Sequence, residues 1–323
     1  MIANSGEYRK KNGQRGYVMM NNFIFENKTK VYFGKGGVKE YLGGLLANFG
    51  ETVMLAYGGG SIKRNGVYDE IMGILNAAGK RIVEFSGIMS NPTYQKVQDG
   101  AKLARENHVD LILAVGGGSV SDCCKVISGA FDTLSHAMET YFGKPDENNL
   151  SDDINEATMR SVIRNIRILL TDPENYDARS ELAQASAMAE NGVLKIGKVT
   201  DFQAHQIEHQ LGAYTDCNHG AGLAVIHPVL YRHIYKSGAA RFARFAQNVW
   251  GIAPKGSDEE TAAAGIDALA AFIKEIGLPT SFAELGIPAD TDFRAVADST
   301  NVTAGCCKKL TRDEICEILQ ECL

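Results

Sequence analysis

Apolar positions change their rhythm about two fifths of the way along the chain. Up to roughly residue 130, short apolar runs alternate with amphipathic stretches. Thr52–Tyr57 (TVMLAY), Arg81–Phe85 (RIVEF) and Leu111–Val115 (LILAV) have the length and bounding turns of buried strands. Between them the apolar residues recur at helical spacing, as in Val67, Ile71, Ile74 and Leu75, and the Asn91-Pro92-Thr93 segment opens a further helix that runs to His108. Strands alternating with helices of this length predict βαβ units and a parallel sheet. Phe23–Phe33 is compatible with an edge strand or hairpin, and Val38–Phe49 has a helical pattern.

From Phe131 onward the pattern is helix after helix: Leu134–Phe142, Ile154–Leu170, Ala178–Leu194, Phe202–Ala213, Leu223–Tyr235, Ala240–Trp250, Glu259–Ile276 and Arg312–Leu323. The expected fold is therefore an α/β dinucleotide-binding half with a parallel, incomplete sheet, followed by an all-helical domain. The boundaries are a polar, disordered extension over residues 1–20, an α/β domain over 21–130 and a helical domain over 131–323. No internal repeat stands out beyond two similar glycine turns.

Composition narrows the class. A hydrophobic content of 45% with 22% charged residues is that of a globular protein. The net charge of −6, with no basic stripe, argues against a nucleic-acid or anionic-membrane surface. No run approaches the roughly 20 apolar residues of a membrane span, and the N-terminal stretch lacks the apolar core of a secretory signal. The seven cysteines are odd in number and include no CxxC, so no disulfide framework or zinc knuckle is expected and the chain reads as reduced and cytoplasmic. Cys217 lies near a histidine cluster; it reads as a buried thiol or as a ligand.

Two kinds of chemistry are written into the turns and the helical half. Both Gly58-Gly59-Gly60-Ser61 and Gly116-Gly117-Gly118-Ser119 follow a strand and precede a helix, and in the second of them backbone N–H groups can approach a phosphate. Neither is a GxGxxG or Walker loop, and a glycine turn after a strand can be geometry alone. In the helical half His205 and His209 are spaced i, i+4, His219 follows in a glycine-rich turn, and Asp132 and His136 are again i, i+4. A carboxylate and imidazoles at these spacings suit Fe(II) or Zn(II) with room for a substrate oxygen. Asp132 could instead cap a helix.

The segments YGGGSIKRNG, NPT, GGGSVSD, DTLSHAMETYF and HQIEHQLGAYTDCNHGAGLA, in this order from about Met20 to Leu323, resemble the iron-containing (group III) alcohol dehydrogenases, in their butanol dehydrogenase-like branch. The resemblance implies that Asp132, His136, His205 and His219 hold the metal, and that His209 lies near the nicotinamide and relays a proton. It implies a pyrophosphate loop at Gly116, Gly117, Gly118 and Ser119 with Asp122 beside it, and a turn near the adenosine ribose at Gly58, Gly59, Gly60 and Ser61. That turn carries no acidic residue and has Lys63 and Arg64 nearby, which suits the 2′-phosphate of NADP(H), with NAD as the alternative. The metal would be Fe(II) or Zn(II), the substrate a small aldehyde or primary alcohol in a cleft between the halves, and the assembly a homodimer. Dehydroquinate synthase-like chemistry on the same scaffold is disfavoured by the HQIEHQLGAYTDCNHGAG signature.

The sequence departs from that pattern at Ile127–Asp132, where the helix after the second glycine turn is nearly fused to DTLSHAMETYF. The intervening part of the nucleotide domain is missing, as in an internal deletion near residue 130. A continuous helix from Ser119 to Asp132 would rise about 20 Å, and lost strands would leave a sheet edge bare. The competing expectation is thus a catalytically impaired homologue that keeps a metal-binding helical domain and binds cofactor poorly.

Overall fold

The computed structural model describes residues 24–26, 30–88, 94–116, 123–144, 149–200, 202–302 and 307–323. Residues 1–20, the Asn91-Pro92-Thr93 helix start, and Gly117, Gly118, Ser119 and Asp122 lie outside the described residues. The chain divides into two compact units, Asn27–Ile127 and Ser128–Leu323, the second also taking in Met1–Glu26.

In the first unit the order is α1 (Gly37–Leu46), β1 (Thr52–Tyr57), the single turn α2 (Ser61–Arg64), α3 (Val67–Ala77), β2 (Arg81–Phe85), α4 (Tyr94–Glu106) and β3 (Leu111–Val115). The sheet is parallel with order β2-β1-β3. β1 is buried at all six positions, as a central strand covered on both faces must be. Its Val53, Leu55 and Tyr57 pack with Leu46, Ile62, Ile71 and Leu75 from the helices. β3 alternates between half-buried and exposed residues, and Ile112 is 60% exposed. Residues 24–26 and 30–33 take no regular structure, contrary to the strand or hairpin expected at Phe23–Phe33. A strand needs a ladder, and these residues have no place among the pairs of the sheet.

The helix α5 (Cys123–Tyr141) is continuous, where the sequence pattern suggested a separate start at Leu134. No Gly-Pro break or cap interrupts it, so nothing ends the first segment before the second begins. The second unit continues with α6 (Leu150–Thr171), α7 (Tyr176–Glu190), α8 (Gln203–Thr215), α9 (His219–Ile234), α10 (Ala239–Trp250), α11 (Asp258–Glu275), α12 (Phe293–Ser299) and α13 (Arg312–Glu321). α7 stops at Glu190 rather than at Leu194, because Gly192 adopts the left-handed conformation (φ 87°) and turns the chain into a 3₁₀ turn at Val193–Lys195. α9 starts at His219, one turn before the Leu223 expected, since Asn218 caps it by accepting a hydrogen bond from Ala221 N. α12 has seven residues, too few for its period to show in the sequence. No helix among the described residues is long and apolar enough to cross a membrane.

Aromatic rings fill the centre of this helical unit. Phe142 stacks on Phe242 at 4.0 Å between centroids and meets Tyr231 and Phe245 edge-on. Next to them the C-terminal end of α5 is held by charge. Lys198 Nζ and Arg241 Nη2 donate to the Tyr141 carbonyl at 3.1 and 2.9 Å, satisfying an acceptor that a helix end leaves open. Both cations also bond Asp152 Oδ1 at 2.5 Å, and all three side chains are essentially buried.

Asp152→Asn would leave two buried cations without their carboxylate. Loss of a partner from such a set costs about 3–5 kcal/mol, so the urea unfolding midpoint of this variant should fall accordingly. A midpoint equal to that of the unsubstituted protein would show that the triad adds no stability.

Candidate metal centre

Three helices of the second unit deliver the histidines. α5 carries Asp132, His136 and Glu139 on one face at i, i+4 and i+7, and α8 carries His205 and Glu208 at i, i+3. α9 offers His219 as its first residue. The approach of α9 to α5 depends on Gly220. A Cβ there would lie 2.2 Å from the Ser128 carbonyl oxygen, and Ser128 Oγ donates to the capping Asn218 at 2.5 Å. Gly222 makes similar room for Glu208, which a Cβ would meet at 3.0 Å.

The four proposed ligands come together around one atom. Asp132 Oδ1 lies 3.3 Å from His205 Nε2, 3.5 Å from His219 Nε2 and 3.6 Å from His136 Nε2. Donor atoms of Asp132, His205 and His219 all fall within 4.8 Å of one another. His136 stands to one side of that set, with Nε2 3.1 Å from His205 Nε2 and 2.9 Å from Glu190 Oε1.

These residues fit a divalent cation. Asp132 Oδ1 is buried and makes no well-formed hydrogen bond, which is costly unless a charge completes its surroundings. His205 Nδ1 donates to Glu139 Oε2 and His219 Nδ1 to Glu208 Oε2, so each Nε2 is the nitrogen left facing Asp132, where a bound cation would displace its proton. Glu139 is fixed in turn by the backbone N–H groups of Ala204 (2.6 Å) and His205 (3.2 Å). Both glutamates are buried.

The charges reinforce each other. Burial would raise the Asp132 carboxyl, but His205 and His219 outweigh it and hold the group well below the ordinary carboxylate range. Burial likewise opposes ionisation of His205 and His219, yet the flanking carboxylates raise them to about 9 and about 10. For Glu139 burial is again the largest influence, and its bonds to His205 and Ala204 N–H reverse it. His136 is lowered to about 4, first by burial and then by His205.

The other sequence candidates divide. His209 is exposed and stacks on His219 at 5.3 Å between centroids, with its pKa lowered by partial burial and by the neighbouring His219 and His205. Cys217 is buried, its thiol pushed up to about 11 by burial, and its Sγ faces Glu208 Oε1 at 3.8 Å rather than the Nε2 set. Glu139, Glu208 and Glu190 are absent from the sequence reading. The spacing of Glu139 from His136 and of Glu208 from His205, three residues each, was the available signal. Glu190 carried none, since a turn of the chain brings it in.

In the first unit the turn Gly58-Gly59-Gly60-Ser61 and Gly116 lie at the carboxyl ends of neighbouring strands. Tyr57 pairs with Val115, so Gly58, Gly59, Gly60 and Ser61 follow β1 beside Gly116 after β3. With order β2-β1-β3 the sequence of strands reverses between β1 and β3, where open α/β sheets bind ligands. Lys63 lies 4.5 Å above the Tyr68 ring and 4.0 Å from Glu84 Oε2, and Tyr57 and Tyr68 both donate to Glu84, at 2.5 and 2.8 Å.

Comparison with known proteins gives this geometry its context. The description "Iron-containing alcohol dehydrogenase" matches residues 28–158, and "Fe-containing alcohol dehydrogenase family, C-terminal" matches residues 126–323. A probable NADH-dependent butanol dehydrogenase of Bacillus subtilis is 30% identical over 389 residues, with 94% of this chain and all of the relative covered. That alignment exceeds the 323 residues of this chain, so the relative carries stretches with no counterpart here. The NADPH-dependent aldehyde reductase YqhD of Escherichia coli is 27% identical, covering 83% of this chain and 90% of its own. The crystal structure of NADH-dependent butanol dehydrogenase A from Thermotoga maritima superposes with a TM-score of 0.87 at 28% identity, covering 94% of this chain and 99% of the other. On these matches, which span both halves, the chain belongs to the iron-containing alcohol dehydrogenase family, in its butanol dehydrogenase-like branch.

Proposed function

We propose that this protein is a metal-dependent alcohol or aldehyde oxidoreductase that transfers a hydride between NADPH and a small aldehyde or primary alcohol. The observation that carries the metal part is the buried Asp132 Oδ1, faced by three imidazole nitrogens at 3.3 to 3.6 Å. Asp132, His136, His205 and His219 would hold Fe(II) or Zn(II), which supplies Lewis-acid polarisation of a substrate oxygen while the nicotinamide gives or takes the hydride. Glu139 and Glu208 keep His205 and His219 in the tautomer that ligates. His209, exposed beside His219 and with a lowered pKa, is neutral at physiological pH and can accept a proton there. Gly58, Gly59, Gly60, Ser61, Gly116, Gly117, Gly118, Ser119 and Asp122 would take the cofactor's phosphates and ribose, in a homodimer.

A second reading has its own support: a cofactor-impaired homologue that retains the metal-binding helical unit. Relatives align over more residues than this chain has, and β3 has Ile112 at 60% exposure where a parallel sheet is normally covered. Titrating NADPH into metal-loaded protein separates the two. Saturable binding with butanal reduction at ordinary enzymatic rates supports the oxidoreductase, and metal binding without NADPH binding supports the impaired homologue.

The ligand assignment predicts that His205→Ala abolishes stoichiometric metal, read by elemental analysis of purified protein. Glu139→Gln should keep the fold and weaken metal binding by about 10- to 100-fold, as loss of a carboxylate behind a ligating imidazole does. Unchanged metal content in His205→Ala would remove α8 from the site.

Cofactor choice turns on three side chains of the first unit. Lys63 and Arg64 favour a 2′-phosphate, whereas Glu84 beside Lys63 opposes it and suits a free ribose hydroxyl. Glu84→Gln should therefore lower KM for NADPH relative to NADH, by about tenfold for one charge contact of about 1.4 kcal/mol. An unchanged KM ratio would exclude Glu84 from the 2′ position.

A further inference from the structure

Among the described residues near His136, Glu190 is a carboxylate that neither the ligand set nor the supports of His205 and His219 use. It ends α7, where Asn191 and the left-handed Gly192 reverse the chain, with Val193 N donating to Asn191 Oδ1 at 2.9 Å. That reversal brings Glu190 Oε1 to 2.9 Å from His136 Nε2. The side chain is 51% exposed, and partial burial together with the neighbouring Asp132 carboxylate raises its pKa.

His136 differs from the other two imidazoles. Its Nδ1 is buried and makes no hydrogen bond, whereas Nδ1 of His205 and of His219 each has a glutamate. Its Nε2 has Glu190 as its nearest acceptor, with Asp132 Oδ1 farther off at 3.6 Å. Without a cation, the ring places its proton on Nε2 and donates it to Glu190. When Nε2 turns to a cation that hydrogen bond is lost, and a carboxylate oxygen is left beside a ligating nitrogen.

The spacing suits a second oxygen donor. With bonds of about 2.1 Å, two donors at right angles lie about 3.0 Å apart and tetrahedral ones about 3.4 Å. Glu190 Oε1 and His205 Nε2 lie 2.9 and 3.1 Å from His136 Nε2, on the right-angle side of that division. The distances from Asp132 Oδ1, 3.3 to 3.6 Å, lie on the tetrahedral side.

We propose that Glu190 enters the metal site as a second carboxylate donor, giving this chain two carboxylates and three imidazoles around its cation. The inference rests on the metal reading of Asp132, His136, His205 and His219. Two carboxylates neutralise a divalent charge and raise the coordination number, which favours Mn(II) or Fe(II) over Zn(II), an ion that settles in tetrahedral sites.

The test uses the full chain, stripped of metal and titrated with Mn(II), Zn(II) and Co(II) alone. Glu190→Gln should weaken Mn(II) at least about tenfold, with a smaller loss for Zn(II). In the unsubstituted protein the visible bands of Co(II) should be the weak ones of a five- or six-coordinate ion, and they should intensify in Glu190→Gln. Equal Mn(II) affinity in Glu190→Gln, or intense tetrahedral Co(II) bands before substitution, overturns the role of Glu190 while His205→Ala still loses metal. If His205→Ala binds metal normally, the metal reading itself fails and Glu190 falls with it.

Discussion

Two carboxylates with almost no access to water govern the helical unit. Glu139 and Glu208 are each about 98% or more buried, and an unpaired charge there would cost several kcal/mol. Each therefore has to keep its imidazole, His205 for one and His219 for the other. A carboxylate only accepts, so the bond also decides which ring nitrogen carries the hydrogen. Both Nε2 atoms are left turned to Asp132, and the direction of the two proposed ligands is settled by groups that would never touch the cation. His136 has no such glutamate behind Nδ1, which is why its outward neighbour Glu190 matters to it.

The same rule, that buried charge must be matched, anchors the scaffold. At the C-terminal end of α5 the matched set is Lys198, Asp152 and Arg241 around the Tyr141 carbonyl. Nearer its start α5 meets α9 through Ser128, Asn218 and a glycine without a Cβ. Asp132 and His136 sit between these two attachments. Rotation of α5 about its axis would break one or the other, so the helix that supplies the carboxylate and one imidazole has little freedom to turn.

How much of this could be read from the chain depends on the range of each interaction. Asp132 with His136 and His205 with His209 are visible because i, i+4 spacing fixes a shared face whatever the tertiary fold. Yet the pairs do not act alike: His205 points to Asp132 while His209 lies on the ring of His219, a difference the spacing cannot express. Glu208 and Glu139 lie within reach of the same periodicity, but nothing in it distinguishes them from ordinary helix charges. Glu190 was beyond it, because its meeting with His136 comes from the packing of α7 and not from any repeat. The helices were legible in kind more than in extent: Asn218 starts α9 early and Gly192 ends α7 early, both through a single residue's local preference. The pairing of Lys63 with Glu84 joins a turn to β2, and only the parallel register of β1 and β2 makes them neighbours.

The short sheet bears differently on the two chemistries. A parallel sheet normally hides both faces, and here only β1 is fully hidden while β3 leaves Ile112 largely in solvent. An edge of this kind costs stability and invites other strands. Those costs fall on the unit Asn27–Ile127, which carries the glycine turns. The proposed metal ligands, the glutamates behind them and the ion triad beneath α5 all belong to Ser128–Leu323. Everything that orients the histidines is therefore internal to one compact unit, and an incomplete nucleotide half removes none of those supports.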